Sequence, residues 1–391
     1  MKLMIDKFLS FIKHSYHRPT AKFEHFCVLI FKLFLNNKTK LVSEKMMLLK
    51  FPPISMVYFN SLGRFFYALI NFLSIILFRK FFDKSIAIEK FDNEEKTIRQ
   101  KKNVGDNLSP WPPQAIHNFE DQKEVSDVFL DKIFSSYEKA IEDENKAELE
   151  DSPWWNELRK EFQGIFLENK GLNKKSIRNF RNDIESKSAI LKDQNVAISK
   201  KNSKFINMIN ATLLACLYHK YSEIINLNTL RAVSDSYAGN NSCVIYRGQR
   251  LNHRILRYSY YISQLKNKLD FKQDEKITIC DIGGGFGGLL RLLKNTYLNS
   301  TCILVELPET CLLASYFLKK NFPDSKILLY SDFNKDVNYK DYDIVILPQN
   351  MIKNFEDKSI DLVLNTSSLS EMKNETQDFY LSQIERVTKK Y

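Results

Sequence analysis

Cysteine and histidine are both scarce in this sequence, with six of each among 391 residues. No two cysteines form a Cys-x-x-Cys pair; they are Cys27, Cys216, Cys243, Cys280, Cys302 and Cys311. This spacing indicates neither a zinc site nor the disulfide framework of a small secreted domain. We therefore expect reduced cysteines in the core of a cytoplasmic protein, and the sequence predicts no metal site.

Long apolar runs are also missing. A membrane-spanning helix needs about 20 apolar residues, whereas the longest run here, 65–78, has 14. Extending it back to Ser55 encloses Asn60 and Arg64, and a central arginine costs about 2.5 to 3.5 kcal/mol. The first residues of the chain lack the continuous apolar core and the small-residue cleavage site of a signal peptide.

Positive charge is concentrated in the N-terminal segment. Residues 1–80 carry thirteen Lys and Arg against three acids, which accounts for +10 of the net charge of +11. Such asymmetry is typical of contact with nucleic acid or with an anionic membrane. Because no nucleic-acid-binding motif is present and the segment is rich in apolar residues, we expect no nucleic acid partner. We favour a peripheral segment at the inner face of the membrane, with a buried core helix as the alternative.

The composition divides the chain into four parts. Residues 1–82 form the basic, apolar segment, and the charged, proline-rich stretch 83–118 is typical of a linker. Residues 119–240 have apolar positions at helical spacing over 123–145 and 204–225, with a helix start at Ser152-Pro153. The remaining part, 241–391, alternates strand and helix patterns.

Glycine is rare as well, at 11 positions, yet five glycines occur within 283–288. They follow a short apolar strand, 277–280, with Asp281 at its carboxyl end, and they precede a leucine-rich helix. Glycines allow a sharp turn and close approach of a ligand, and a helix N-terminus favours anionic or polar groups. The segment predicts a nucleotide-type cofactor site.

The glycine turn satisfies two fingerprints. Gly283, Gly285 and Gly288 fit the dinucleotide pattern G-x-G-x-x-G. With Asp281 and Gly287, the same turn is also similar to D-x-G-x-G-x-G, the first motif of class I S-adenosylmethionine-dependent methyltransferases. A carboxylate here would repel the pyrophosphate of NAD and attract the cationic end of S-adenosylmethionine. We favour the methyl donor over NAD, and a purely structural turn is the third possibility.

Further apolar runs continue a doubly wound α/β pattern. The run 302–305 ends in Glu306, 25 positions beyond Asp281, where such folds place the acid that binds the ribose hydroxyls. Three more runs follow, at 326–330, 343–347 and 360–364.

Several segments together resemble the sugar O-methyltransferase family. They are DIGGGFGGL, VELPE, NTSSLSEM and FYLSQIERV, with SPWW and IRNFRND upstream, so the resemblance covers roughly residues 110–391. It implies a class I Rossmann-like fold, S-adenosyl-L-methionine as cofactor, and a sugar hydroxyl of a glycan or glycolipid intermediate as acceptor. It also implies a helical domain that helps to form the acceptor pocket. The cofactor-binding residues would be Asp281, Gly283, Gly285, Gly287, Glu306, Asp332 and Asn365, with Asp332 near the adenine amino group by analogy.

One departure from that family concerns the length of the sheet. A class I methyltransferase sheet has seven strands, whereas the patterns here give four or five before a helix over 375–390, after which no strand is predicted. We expect a sheet that lacks its last strands, in a truncated chain. An inactive methyltransferase-like protein and an NAD-dependent sugar-modifying enzyme are therefore the alternatives to an active methyltransferase.

Two residues are candidates for the catalytic base. A sugar hydroxyl is a poor nucleophile at neutral pH, so a positioned base is expected. His253 leads into the cofactor strand and could fold over its carboxyl edge, although an exposed histidine in a basic helix is an equally good interpretation. Glu371 follows the strand 360–364, where a shielded carboxylate could take the proton. We favour Glu371 slightly.

Overall fold

The computed structural model describes residues 87–88, 124–144, 153–168, 171–181, 211, 214, 217–218, 221–241, 243–272 and 274–391. The basic, apolar segment 1–82, including the run 55–78, lies outside the described residues. Within them, no helix is both long enough and apolar enough to cross a membrane.

The first half of the described chain is mainly helical and contains short antiparallel pairs of strands. Its elements are β1 (Ala87–Ile88), α1 (Asp127–Glu144), α2 (Pro153–Phe166), β2 (Leu167–Glu168), β3 (Gly171–Leu172), α3 (Lys174–Arg178), α4 (Leu227–Ala232), β4 (Val244–Tyr246) and β5 (Gln249–Leu251). The predicted helix over 123–145 and the predicted helix start at Pro153 are confirmed. β2 pairs with β3, and β4 pairs with both β1 and β5. These strands have two or three residues, too few to show a period of two.

The second half alternates helices and strands. Its elements are α5 (His253–Lys268), β6 (Thr278–Ile282), α6 (Gly288–Thr296), β7 (Thr301–Glu306), α7 (Pro308–Asn321), β8 (Ile327–Leu329), β9 (Ile344–Pro348), β10 (Leu362–Leu364) and α8 (Asn374–Val387). Single 3₁₀ turns cover Tyr330–Asp332, Tyr339–Asp341, Gln349–Asn354 and Ser368–Glu371. All five apolar runs of the sequence become strands of one sheet.

That sheet is parallel throughout, with the strand order β10-β6-β7-β9-β8. Its register aligns Asp281 of β6 with Leu304 and Leu364, and Glu306 of β7 with Pro348. The prediction of an α/β fold with a parallel sheet is confirmed, and this sheet of five strands is compatible with a Rossmann-like fold. The order adds a feature that no local pattern indicates, because β9 lies between β7 and β8.

Both faces of the sheet are covered, which explains why its strands are continuously apolar. Ile279 of β6 belongs to a core cluster that contains residues of α5, α6 and α7. The next residue, Cys280, faces the opposite side and packs in a cluster with Tyr380 and Val387 of α8. Within the described residues, Cys243, Cys280 and Cys302 are buried free thiols, and Cys311 is a partly exposed one.

The helical region and the sheet share one core. Leu130 of α1 and Phe162 of α2 are fully buried in the same cluster as Leu304 of β7 and Phe317 of α7. α1 packs along α7 and against the 3₁₀ turn after β8. The two regions thus pack on each other, and the boundary predicted at residue 240 stays a prediction.

The last residues of the chain contact the edge of the sheet at β10. After α8 ends at Val387, residues 388–391 run parallel to β10, and Lys389 N donates to the oxygen of Ile360 at 2.7 Å. Val363 N donates in turn to the main-chain oxygen of Tyr391 at 2.9 Å. The helix predicted to residue 390 ends instead at Val387, and the residues after it form an isolated bridge and main-chain hydrogen bonds beside β10.

Candidate functional site

The candidate site lies at the point of the parallel sheet where the order in which the chain adds strands reverses. From β6 the chain moves through α6 to β7 on one side, whereas β10 lies on the other side of β6. Ligands of open parallel sheets bind in the crevice at such a point, at the carboxyl ends of the strands. The glycine turn 283–288 follows β6 there, and the segment 365–371 follows β10.

Glycine is required in this turn for two separate reasons. Gly283 and Gly285 have φ angles of 67° and 59°, which other residues rarely adopt. A Cβ at Gly283 would also lie 1.9 Å from Oγ of Ser368, whereas one at Gly285 would meet no atom within 4 Å. The turn is therefore closed where it contacts Ser368 and open at Gly285, where a ligand has room to approach.

Gly287 connects the turn to α6. It has a φ of 83° at the N-cap position of that helix, and a Cβ there would lie 3.0 Å from Cδ1 of Leu318. Besides its predicted role in cofactor binding, Gly287 thus has a role in packing, because a side chain at this position would press on α7.

Asp281 is the most unusual carboxyl group in the site. Its side chain is fully buried beneath Gly284, where a Cβ would lie 2.3 Å from Oδ2. Within the described residues, neither of its oxygens accepts a hydrogen bond. Burial, together with the charge of Glu306, raises the pKa of Asp281 to about 8. Ionisation here is costly, and a cation beside the carboxyl would lower that cost.

Glu306 lies at the carboxyl end of β7, as predicted, and holds the glycine turn. Its Oε2 accepts a hydrogen bond from Gly285 N at 2.9 Å, and its Oε1 accepts one from Leu307 N at 2.9 Å. The side chain is buried. Each carboxylate oxygen has a second lone pair, so Glu306 can accept bonds from ligand hydroxyls while it holds the turn.

Asn365 begins the segment that closes the site after β10. Its Nδ2 donates to the main-chain oxygen of Ile282 at 3.0 Å and to Oγ of Ser368 at 2.6 Å. Oγ of Ser368 also donates to the oxygen of Ile282, at 3.3 Å. Asn365 therefore fastens this segment to the end of β6, beside the glycine turn.

Asp332 lies away from the other predicted cofactor residues. It follows β8, which is at the edge of the sheet, two strands from β7. The carboxylate forms an ion pair with Lys132 of α1, and both side chains are 41% exposed. A position near the adenine would require β8 to lie beside β7, so we remove Asp332 from the site.

The end of β9 occupies the position next to Glu306 instead. Pro348 is paired with Glu306, and the buried Gln349 follows it. Nε2 of Gln349 donates to Glu144 of α1 at 2.9 Å. Within the described residues, the buried Oδ1 of Asn350 accepts no hydrogen bond. The sequence offered no signal for these amides, because their position depends on the strand order.

The two candidate bases differ in environment. Glu371 ends the 3₁₀ turn after β10, and its side chain is exposed. The prediction of a shielded carboxylate was therefore wrong. His253 is the first residue of α5 and is partly buried. Its neighbour Arg254 lies 5.2 Å from the ring centroid of Phe286, inside the glycine turn, so His253 begins its helix next to the turn.

A buried charge network that sequence reasoning missed surrounds the start of α5. Oδ2 of Asp235 accepts hydrogen bonds from Arg181 at 2.5 Å and from Asn241 at 2.6 Å, as well as from Asn252, the N-cap residue of α5. Burial opposes ionisation of Asp235, but Arg181 and its neighbouring arginines lower the pKa of Asp235 overall. The network joins the residues that follow α3, the segment 233–241 and the N-cap of α5.

A second network links the helical region to the segment that follows β7. Arg159 of α2 donates to Glu144 of α1 at 2.6 Å, and its Nε lies 3.3 Å from the carboxylate of Glu309. Glu309 is buried in the first turn of α7, just after β7. α1 and α2 therefore contribute charged side chains beside Glu306. Within the described residues, no group of three or more His, Cys, Asp or Glu could hold a metal ion.

Comparison with protein-family models, with curated proteins and with solved structures finds no match to this chain. The function is therefore inferred from the geometry of the site.

Proposed function

We propose that this protein is an S-adenosyl-L-methionine-dependent O-methyltransferase that acts on a sugar hydroxyl of a glycan or glycolipid intermediate. The pair of carboxyl groups at the glycine turn is the observation that supports the cofactor. Asp281 and Glu306 are both buried there, and burial together with the charge of Glu306 raises the pKa of Asp281. The pyrophosphate of NAD would add negative charge to this pair, whereas a cationic ligand would neutralise it.

The residues present suit such a ligand. The open space at Gly285 lets a ligand reach the backbone of the turn. Glu306, at the carboxyl end of β7, is suited to bind ribose hydroxyls. Asp281 has no hydrogen-bond donor of its own within the described residues, so the ammonium group of the methionine moiety would supply the missing charge. Asn365 would keep the segment after β10 in place.

When bound, S-adenosylmethionine supplies a methyl group on a positively charged sulfur, which a sugar oxygen can attack. The protein must hold the acceptor oxygen in line with that methyl group, and orientation of this kind contributes most of the rate. A base near the acceptor must remove the hydroxyl proton. Because Glu371 is exposed, we now prefer His253, which begins α5 beside the turn.

Calorimetric titration of the full chain with S-adenosylmethionine, S-adenosylhomocysteine and NAD tests the proposal. We expect binding of the first two and none of NAD, with weaker binding in Glu306→Ala because its ribose contacts are lost. Binding of NAD alone, weakened in the same variant, would instead support an NAD-dependent sugar-modifying enzyme. If none of the three ligands binds, the chain is an inactive methyltransferase-like protein.

We propose in addition that residues 1–80 hold the enzyme peripherally at the inner face of a membrane. Their net charge of +10 and their apolar content support this location. β1, at residues 87–88, pairs with β4 and so attaches the chain close to this segment to the folded part of the protein. Sedimentation with anionic but not with neutral vesicles is the expected result.

A further inference from the structure

The ring of Phe286, in the middle of the glycine turn, lies close to two guanidinium groups. Arg181 is 5.0 Å from its centroid and Arg254 is 5.2 Å from it. The ring is buried, and it also packs on Phe317 of α7 at 4.9 Å between centroids. Two positive charges are therefore held directly against the turn that forms the candidate cofactor site.

The two arginines differ in how their charge is compensated. Arg181 forms a buried ion pair with Asp235 and donates to the main-chain oxygens of Ser236 and Ala238. Within the described part of the chain, the guanidinium of Arg254 makes neither a hydrogen bond nor an ion pair, and its Nε is buried without an acceptor. Partial burial of an uncompensated guanidinium is unfavourable, so its position suggests a partner that arrives with a ligand.

The surroundings of Arg254 favour an anion. It lies in the first turn of the 16-residue helix α5, whose dipole is positive at that end. One turn further along, Tyr258 packs against the other end of the glycine turn, since a Cβ at Gly288 would lie 2.9 Å from its Cε2. The charges of Arg254 and of Asp281 both act on the Tyr258 hydroxyl. The turn thus has carboxyl groups beneath it and a free guanidinium at its side.

We propose that Arg254 binds an anionic group of the nucleoside ligand at the glycine turn. This inference rests on the proposed function, under which the anion is the terminal carboxylate of the methyl donor and the ammonium group of the donor lies by Asp281. A pyrophosphate is the other source of the same chemistry. Arg254 would then bind the carboxylate of the zwitterionic methyl donor, and Asp281 would bind its ammonium group.

The test compares two ligands that differ by one carboxylate, S-adenosylhomocysteine and its decarboxylated 3-aminopropyl analogue. The full chain and the variants Arg254→Met and Arg254→Lys are titrated with both, and Lys268→Met serves as a control. Lys268 is exposed at the far end of α5, so its substitution removes the same charge about 20 Å from the turn.

We expect wild type and Lys268→Met to bind S-adenosylhomocysteine roughly 10- to 100-fold more tightly than the analogue, because a hydrogen-bonded charge pair is lost with the carboxylate. Arg254→Met should bind both ligands equally, and Arg254→Lys should retain part of the preference. Thermal unfolding of each variant separates loss of fold from loss of binding. A preference that persists in a folded Arg254→Met protein would overturn the inference.

Failure of the proposed function gives a different result. If wild type binds neither nucleoside but binds NAD, and Arg254→Met weakens NAD binding, Arg254 binds a pyrophosphate and the methyltransferase proposal is wrong. If NAD binding is unchanged in Arg254→Met, both proposals are wrong.

Discussion

At the residue scale, the charge of Asp281 depends on what is bound beside it. Its carboxyl is buried, and its pKa is raised from 3.8 to about 8. The folded protein therefore keeps a proton on Asp281 that the unfolded chain releases near pH 4. The contribution of this group to the free energy of unfolding is fully present below about pH 4 and is lost as the pH rises towards 8.

Asp281→Asn should remove this pH dependence. The amide cannot ionise, so between pH 8 and 9 the variant should be more stable than wild type by on the order of a few kcal/mol, and near pH 4 the two should be similar. Thermal unfolding at several pH values measures the difference. Asp332→Asn, at an exposed ion pair, is the control. Equal pH profiles for wild type and Asp281→Asn would contradict the buried charge at this position.

The same substitution should weaken binding of the methyl donor despite the gain in stability. Binding of a cation favours ionised Asp281, so it releases a proton and becomes tighter as the pH rises through about 8. If Asp281→Asn is more stable than wild type and yet binds less ligand, general damage to the fold does not explain the weaker binding.

Two glycines of the turn provide a matched pair of substitutions. Gly283 and Gly285 have similar positive φ, so alanine at either position should cost about 1 to 2 kcal/mol in backbone strain. At Gly283 the new methyl also meets Oγ of Ser368, which should add roughly 1 to 3 kcal/mol. Chemical denaturation should therefore give a lower free energy of unfolding for Gly283→Ala than for Gly285→Ala. The reverse order would mean that the segment after β10 does not close on the turn.

At the scale of elements, the start of α5 is fixed by one carboxylate. Asp235 accepts hydrogen bonds from Arg181 and Asn241 and from the N-cap residue Asn252. Asp235→Ala would leave the guanidinium of Arg181 buried without its anion, and we expect a loss of about 3 to 5 kcal/mol. Asn241→Ala leaves that ion pair intact and removes the side-chain hydrogen bonds to Asp235, Cys243 and Arg250, so it should cost about 1 to 2 kcal/mol. If urea unfolding shows similar losses of stability for both variants, the negative charge of Asp235 is unimportant.

The sequence predicts best those elements whose sequence signals are local. β6 and β7 were predicted to within two residues because each is an apolar run that ends in an acidic residue or at the glycine turn. The hairpin of β2 and β3 was missed because two-residue strands have no period. Asp332 was misplaced because the order of β8 and β9 is set by packing between distant segments. Asp235 was missed for the same reason, since it is 54 positions from Arg181.

At the scale of the whole molecule, the helical region and the sheet form one core. Phe162 of α2 is completely buried and contacts Tyr137 of α1 and Phe166, in the same cluster as the residues of β7. A continuous core predicts that these parts unfold together.

Phe162→Ala tests this continuity. Removal of the ring should cost about 3 to 5 kcal/mol and should shift a single unfolding transition to lower temperature. Far-ultraviolet and near-ultraviolet circular dichroism should report the same midpoint. Two separate transitions, with only one of them shifted, would instead support an independent helical domain that ends near residue 240.

The sequence by itself determined the parts of this protein whose causes are local. The strand, the five glycines and the helix that follows them specify the turn, and the apolar runs specify a parallel α/β sheet. Only the tertiary structure decided which charges meet at that turn. Asp281 is buried against Glu306, Arg254 lies on Phe286, and Glu371 is left exposed. Burial and electrostatic coupling depend on the distance between side chains in space, which a sequence pattern does not contain.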